Sequence, residues 1–386
     1  MSLFIFSGCS DQSERILVNK ELYKQLDTKS SIDAHHTSEG FVVIETHSKS
    51  KHDRLTEEIA HLAHVSGKCG GFTSDTEEEI LKISKVLREQ NVLNNSFDFS
   101  KFKAPSFKSY VEKINETLKT ENIEAGIQIL VAQGTRSARS RNPNKPIAVF
   151  MEHIKETLKD SKLDFSLERI QHNSTPQDSI KLRIEGFEEP KSIVVLGGHI
   201  DSTGSFFSNK APGADDNASG SAAILEAVRG LAYSDYKPKK SLEFFWYAGE
   251  ENGLLGSKEI ARSYKETNKK VEAVMQLDMV AYPGNGDTIG LTTDYTNVEL
   301  TQIVENLTNL YIQSPVERFS CGYGCSDHAS WHNNGFKTVF PFESTFNTSN
   351  RNIHTERDLL DNRTSMEHAL KFSKLAVAFL IEMSER

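Results

Sequence analysis

From Ser106 onward, short apolar runs alternate with stretches of helical period, and this alternation limits the fold more than any other feature of the chain. Strand-like runs fall at 164–171, 180–185, 193–199, 242–247, 271–277 and 337–341. Helical periodicity covers 106–118, 123–132, 147–158, 218–231, 254–264 and 297–310. A final helix places Ala369, Phe372, Ala376, Phe379 and Met383 on one stripe. The run 242–247 is broken only by Glu243, as expected of a largely buried strand. Strands separated by helices join a mostly parallel sheet. The sequence therefore predicts an α/β fold, a mostly parallel mixed sheet flanked by helices on both faces. In such sheets ligands collect outside the carboxyl ends of the strands.

Most of the polar motifs lie at those ends. Gly197-Gly198-His199-Ile200-Asp201 closes one apolar run, and a side-chain period of two points His199 and Asp201 the same way. A metal-binding imidazole needs its second ring nitrogen held by an acceptor, a task a carboxylate two residues on can perform. Pro212-Gly213-Ala214-Asp215-Asp216-Asn217 precedes a helix; a capping role explains one of its carboxylates but not two. Ala248-Gly249-Glu250-Glu251-Asn252-Gly253 follows the run 242–247 directly. Consecutive glutamates point in different directions, so one can ligate a metal while the other faces substrate as an acid/base. Asp278 ends a further run, and His354 sits in Asn352-Ile353-His354-Thr355.

Taken together, His199, Asp216, Glu251, Asp278 and His354 supply the imidazoles and carboxylates that zinc or cobalt prefers. Three carboxylates against two divalent ions leave one positive charge, which a hydroxide cancels. A two-metal centre with Asp216 as the bridge is the arrangement these residues predict. Cys321 and Cys325, in Cys-Gly-Tyr-Gly-Cys, either close a tight disulfide loop or bind a metal. For the second role His328 and His332 are the nearest partners, and both fit a helix surface equally well.

These motifs, their order and their spacing resemble the co-catalytic dizinc aminopeptidases of the bacterial leucyl aminopeptidase type, within the zinc exopeptidase superfamily. The resemblance runs from about Ser106 to the end, which implies a zinc peptidase catalytic domain over 105–386. It implies two Zn2+ (or another divalent ion such as Co2+) on His199, Asp216, Glu251, Asp278 and His354. It further implies Glu250 as general base, Asp201 as the orienter of His199, and a cis peptide at Asp216–Asn217. Cys321 and Cys325 would form a disulfide, and Tyr323 would help hold the tetrahedral intermediate. The pocket for the first side chain would be lined by Met279, Phe342, Phe346 and Ile353, with Ser349 where an aromatic residue is common. The implied activity is removal of an N-terminal, leucine-like residue from peptides with a free N-terminus. Rivals on the same fold are a glutaminyl cyclase, a carboxypeptidase and a non-catalytic binding ectodomain.

Residues 1–104 read differently. They hold six of the 13 histidines, one strand at 41–47, helices at 57–64 and 75–88, and a linker at 91–105. This small α+β region resembles the propeptides of the same secreted enzymes; Cys69 could present a thiolate to an open zinc position, although a buried or unpaired thiol is the favoured reading. An activating protease is then an expected partner, and the expected state is a monomer. Met1 to Cys9 lacks a full signal sequence, although Phe6-Ser7-Gly8-Cys9 is similar to a lipoprotein cleavage box, as though a longer signal were clipped. With the cysteine pair, this predicts a secreted or periplasmic protein. The chain carries 45 basic against 54 acidic side chains, a net charge of −9, which argues against nucleic acid as a partner. No run approaches the ~20 apolar residues of a membrane span.

Overall fold

The computed structural model describes residues 106–386 apart from 206–209 and 285. Of the N-terminal region it describes 14–27, 33–36, 41–46, 48, 51–52, 54–56, 58–59, 62 and 72–75.

The N-terminal strands β1 (Glu14–Asn19), β2 (Asp33–His36), β3 (Phe41–Thr46) and β4 (Phe72–Asp75) form an antiparallel sheet in the order β2-β3-β1-β4. Ile16, Val18, Leu22, Val42, Ile44, Leu55 and Ile59 close its small core. Of these strands, only β3 coincides with an expected one, at 41–47. Asp75, expected to open a helix, lies in β4, while the rest of 75–88, the linker at 91–105 and Cys69 lie outside the described residues. The described positions 58–59 and 62 of the expected helix 57–64 are helical.

The large sheet has six strands. At its centre β7 (Glu189–His199) lies between β8 (Lys240–Tyr247) and β9 (Lys270–Gln276), all parallel. A short β12 (Thr338–Val339) extends it in parallel beside β9. Beyond β8, β6 (Ser179–Ile184) pairs antiparallel with β8 and β5 (Phe165–Ile170) antiparallel with β6, so β6 alone runs against the other strands and the sheet is mixed but mostly parallel. The central strands alternate between two apolar faces. Val194, Leu196, Leu242, Phe244 and Trp246 pack under α3 (Thr120–Val131), α5 (Gly220–Ala232) and α9 (Met366–Ser384). Ile193, Val195, Phe245 and Tyr247 pack on Ile260, Ala261 and Tyr264 of α6 (Leu255–Glu266) and on Trp331 of α8 (His328–Asn333). Burying one such side chain is worth about 1.5–3 kcal/mol, so the two-sided core pins these strands. Glu243, the interruption in β8, is itself buried. It is held by Arg183, by Lys181 at 3.3 Å and by the Tyr264 hydroxyl.

Two strands lie outside the expected runs, β10 (Ile289–Thr292) and β11 (Val316–Phe319); β10 pairs with β11 on one side and with β13 (Pro341–Phe342) on the other, in a small separate sheet. The run 337–341, expected as one strand, divides between β12 and β13 and so belongs to both sheets. Register brings His199 level with Tyr247, and Gly197 level with Gln276. Glu250 and Glu251 follow Tyr247 by three and four residues, and Asp278 follows Gln276 by two. The carboxyl ends of three neighbouring central strands thus converge on one edge.

Candidate metal centre

At that edge the chain approaches itself closely. A Cβ on Gly198 would stand 2.6 Å from the Leu277 carbonyl oxygen, so only glycine lets β7 press against the segment that carries Asp278. His199 then places Nε2 at 3.1 Å from Asp216 Oδ1 and 3.2 Å from Asp278 Oδ1. His354, with a left-handed backbone (φ 56°), places its own Nε2 at 3.0 Å from Asp216 Oδ2 and 3.1 Å from Glu251 Oε2. The five residues thus stand in two groups, His199–Asp216–Asp278 and Asp216–Glu251–His354, with Asp216 offering one oxygen to each. All five are at most 5% exposed. The Asp216–Asn217 peptide bond is cis.

This donor set fits a pair of divalent ions. A ring nitrogen carries at most one hydrogen, yet each Nε2 faces two carboxylate oxygens at nearly equal distance. Donors bound at about 2.0–2.2 Å around a tetrahedral ion lie roughly 3.3 Å from one another, close to the spacings seen here. Glu251 Oε1 is buried with no hydrogen-bond donor among the described residues. Electrostatics agree. Burial would lower the His199 and His354 imidazoles, but Asp278 beside the first and Glu251 beside the second help raise both well above the ordinary range. Burial raises the Glu251 carboxyl to about 7, offset in part by His354 and reinforced by Asp216. Such crowding of buried carboxyls is stable only if cations answer it.

Backbone and side-chain ties hold the groups in place. Asp201, fully buried, accepts from Glu250 N (3.0 Å) and Glu251 N (3.2 Å), with Oδ1 3.4 Å from His199 Nδ1. Asp358 accepts from Asp215 N and Asp216 N, both at 3.0 Å. Asn217 donates to the Leu277 carbonyl (3.0 Å), tying the Asp216 loop to the Asp278 segment. Ser326 donates to Asp278 Oδ2 at 2.6 Å, and Gln276 donates to Ser326 and Asp327. Glu250 is buried beside these groups. Desolvation lifts its carboxyl well above the usual range, opposed by His199 and reinforced by Glu251, Asp327 and Asp278. Asp327 is likewise pushed up to about 7, first by burial. Asp358 and Arg136 carried no motif-like signal of their own, whereas Ser326 and Asp327 continue the Cys321-Gly-Tyr-Gly-Cys325 motif.

Cys321 and Cys325 are joined in a disulfide. His328 and His332 lie on α8 beside it, but buried rather than on the helix surface, and among the described residues neither belongs to a group placed to hold a metal. Asp294 accepts from Gly322 N (3.0 Å) and from Cys321 N, fixing the start of the loop. Tyr323 packs in one apolar cluster with the disulfide, Met279, Phe342 and Ile353, with Phe346 half-buried at its margin. The N-terminal sheet touches the same neighbourhood. Leu17 and Val43 pack against Leu254, Tyr295 and Ala329, which adjoin the glutamate turn, Asp294 and the segment after the disulfide.

Residues 180–380 match peptidase family M28. The chain belongs to that family. A probable leucine aminopeptidase of Arthroderma otae is 33% identical over 72% of this chain and 76% of its own length. Leucine aminopeptidase 1 of Leptosphaeria maculans is 32% identical over 77% and 80%. Among solved structures, the LapA aminopeptidase of Legionella pneumophila superposes with a TM-score of 0.81 at 28% identity, covering 98% of this chain and all of the other. As an M28 peptidase the chain is a hydrolase, and its mixed sheet flanked by helices is the fold of these relatives. Among the described residues no helix is long and apolar enough to cross a membrane.

Proposed function

We propose that this M28 peptidase is a metallo-aminopeptidase that removes an apolar, leucine-like residue from peptides with a free N-terminus. The observation that carries the reading is the pair of buried donor groups joined through Asp216. His199, Asp216 and Asp278 would hold one Zn2+, and Asp216, Glu251 and His354 the other, with Co2+ an acceptable substitute. Two such ions polarise a scissile carbonyl and bring the pKa of an attacking water near ~7.

The chain's own groups do the rest. Glu250, buried at the end of β8 and raised in proton affinity, takes the water's proton and returns it to the leaving amine. Asp201 keeps His199 oriented and fixes the backbone of both glutamates. Tyr323, braced by the disulfide and Asp294, donates to the developing oxyanion. Met279, Phe342, Phe346 and Ile353 receive the first side chain.

Residues 1–104 act as a propeptide, supported by the contact of Leu17 and Val43 with the walls of this region, and a second protease removes them. The disulfide favours a secreted or periplasmic setting. The catalytic domain over 105–386 works as a monomer.

Elemental analysis combined with a panel of amino-acyl substrates, before and after proteolytic trimming, tests the reading. Two ions per chain and release of N-terminal residues are expected. One ion with cyclisation of N-terminal glutamine, or two ions with no hydrolysis, would replace it. Glu250→Ala should retain both ions and lose about 10²- to 10⁴-fold in kcat. Full activity in that variant removes Glu250 from the mechanism.

A further inference from the structure

Arg136 follows a short polar turn, and nothing in the motifs points to it. It is fully buried, and its side chain is spent on the loops that carry the donor groups. Nε donates to the Ile200 carbonyl at 2.8 Å, between His199 and Asp201. Nη1 donates to the Pro212 carbonyl and Nη2 to the Gly213 carbonyl at 2.9 Å, just ahead of Asp215 and Asp216. A Cβ on Gly213 would meet Arg136 Nη2 at 2.9 Å and the Asp216 carbonyl oxygen at 2.4 Å, so the fork is pressed against the Asp216 loop.

The backbone of Arg136 extends the tie. Its N–H donates to Ser202 Oγ (3.2 Å), and Ser202 donates to the Ala211 carbonyl (2.7 Å). Its carbonyl accepts from Gln177 Nε2 (2.9 Å), while Gln177 Oε1 accepts from Gly249 N (3.3 Å), the residue before Glu250. Burial lowers the guanidinium to about 10, against the pull of Asp358, Asp201 and Asp216, so it stays a cation at neutral pH.

We propose that Arg136 is a positioning residue that sets the distance between His199 and Asp216, and so the readiness of the His199–Asp216–Asp278 group to take its ion. The proposal rests on reading the two donor groups as metal sites. A planar fork with fixed donor directions can serve three carbonyls from two loops at once, which a flexible ammonium cannot. Supporting groups of this kind typically carry about 10- to 100-fold of metal affinity.

The test uses the full chain stripped of metal and titrated with Zn2+ and with Co2+, in wild type, Arg136→Lys and Arg136→Met. Wild type should show two dissociation constants, and Asp278→Ala identifies the one that belongs to the His199 group. In both Arg136 variants that constant should rise about 10- to 100-fold, while the other moves less than about threefold. In parallel, kcat should fall with KM little changed. If Arg136→Met does not fold, Arg136→Lys, which keeps the charge and stem, carries the comparison. Unchanged constants, or two constants that weaken equally in step with the melting temperature, overturn the positioning role. Uptake of a single ion by wild type overturns the two-site reading itself, and the clamp with it.

Discussion

Replacing Asp201 by asparagine probes how firmly the glutamate turn must be held. In the structure this carboxylate accepts from two consecutive backbone amides, at 3.0 and 3.2 Å, and lies 3.4 Å from His199 Nδ1. Asparagine keeps one acceptor oxygen but turns an NH2 group towards one of the amides, donor against donor. A hydrogen bond to a charged group is worth about 1.5–3 kcal/mol, and leaving a buried donor unmet costs about 1–3 kcal/mol. Part of this destabilises the fold and part moves Glu250 and Glu251 away from their partners. If about 3 kcal/mol falls on the active arrangement, kcat/KM drops roughly 100-fold, since each 1.36 kcal/mol is a factor of ten. The assay is steady-state hydrolysis of an amino-acyl chromogenic substrate at saturating Zn2+, with melting temperature and metal content measured on the same sample. A variant that keeps its fold and ions and loses less than threefold in kcat/KM refutes the reasoning.

Two further outcomes follow from the geometry. Gly198→Ala should cost about 1–3 kcal/mol of stability and lower activity, because the new methyl cannot coexist with the Leu277 carbonyl at 2.6 Å; denaturant unfolding that matches wild type would contradict the close packing. Burial lowers His328 to about 3 and His332 to about 4. Both stay neutral in the folded chain and take up protons on unfolding below about pH 6.5. Stability is therefore full above that pH and falls as the pH drops towards 4. Between pH 7 and 5 each contributes about 2 kcal/mol of the loss, so His332→Gln should shrink that loss by the same amount in urea titrations. Parallel pH slopes for variant and wild type would show that His332 is not held neutral by burial.

The site region was legible in the sequence because its residues violate their surroundings. Paired acids after an apolar strand, as at Glu250-Glu251, or in a loop of small residues, as at Asp215-Asp216, have few structural reasons to exist. The structure gathers Asp216 and Glu251 with His199, Asp278 and His354. Arg136 and Asp358 were silent because they act on backbone carbonyls and amides, atoms that every sequence has and only the tertiary fold positions. The central strands announced themselves through unbroken burial. By contrast β11 leaves Glu317 and Arg318 exposed and shows no clean alternation, and the N-terminal sheet is built from strands of four to six residues. The division of 337–341 between two sheets follows from pairing partners that local sequence does not encode.

Three of the strands that carry the polar edge are also the ones most deeply enclosed, with apolar layers above and below. Amide protons in such strands exchange only when the whole domain opens. Warming should therefore not produce a loosened, idle enzyme that is still otherwise intact. Loss of turnover and loss of the fold should coincide in a single transition, since the working end is fastened to the last part of the molecule to let go.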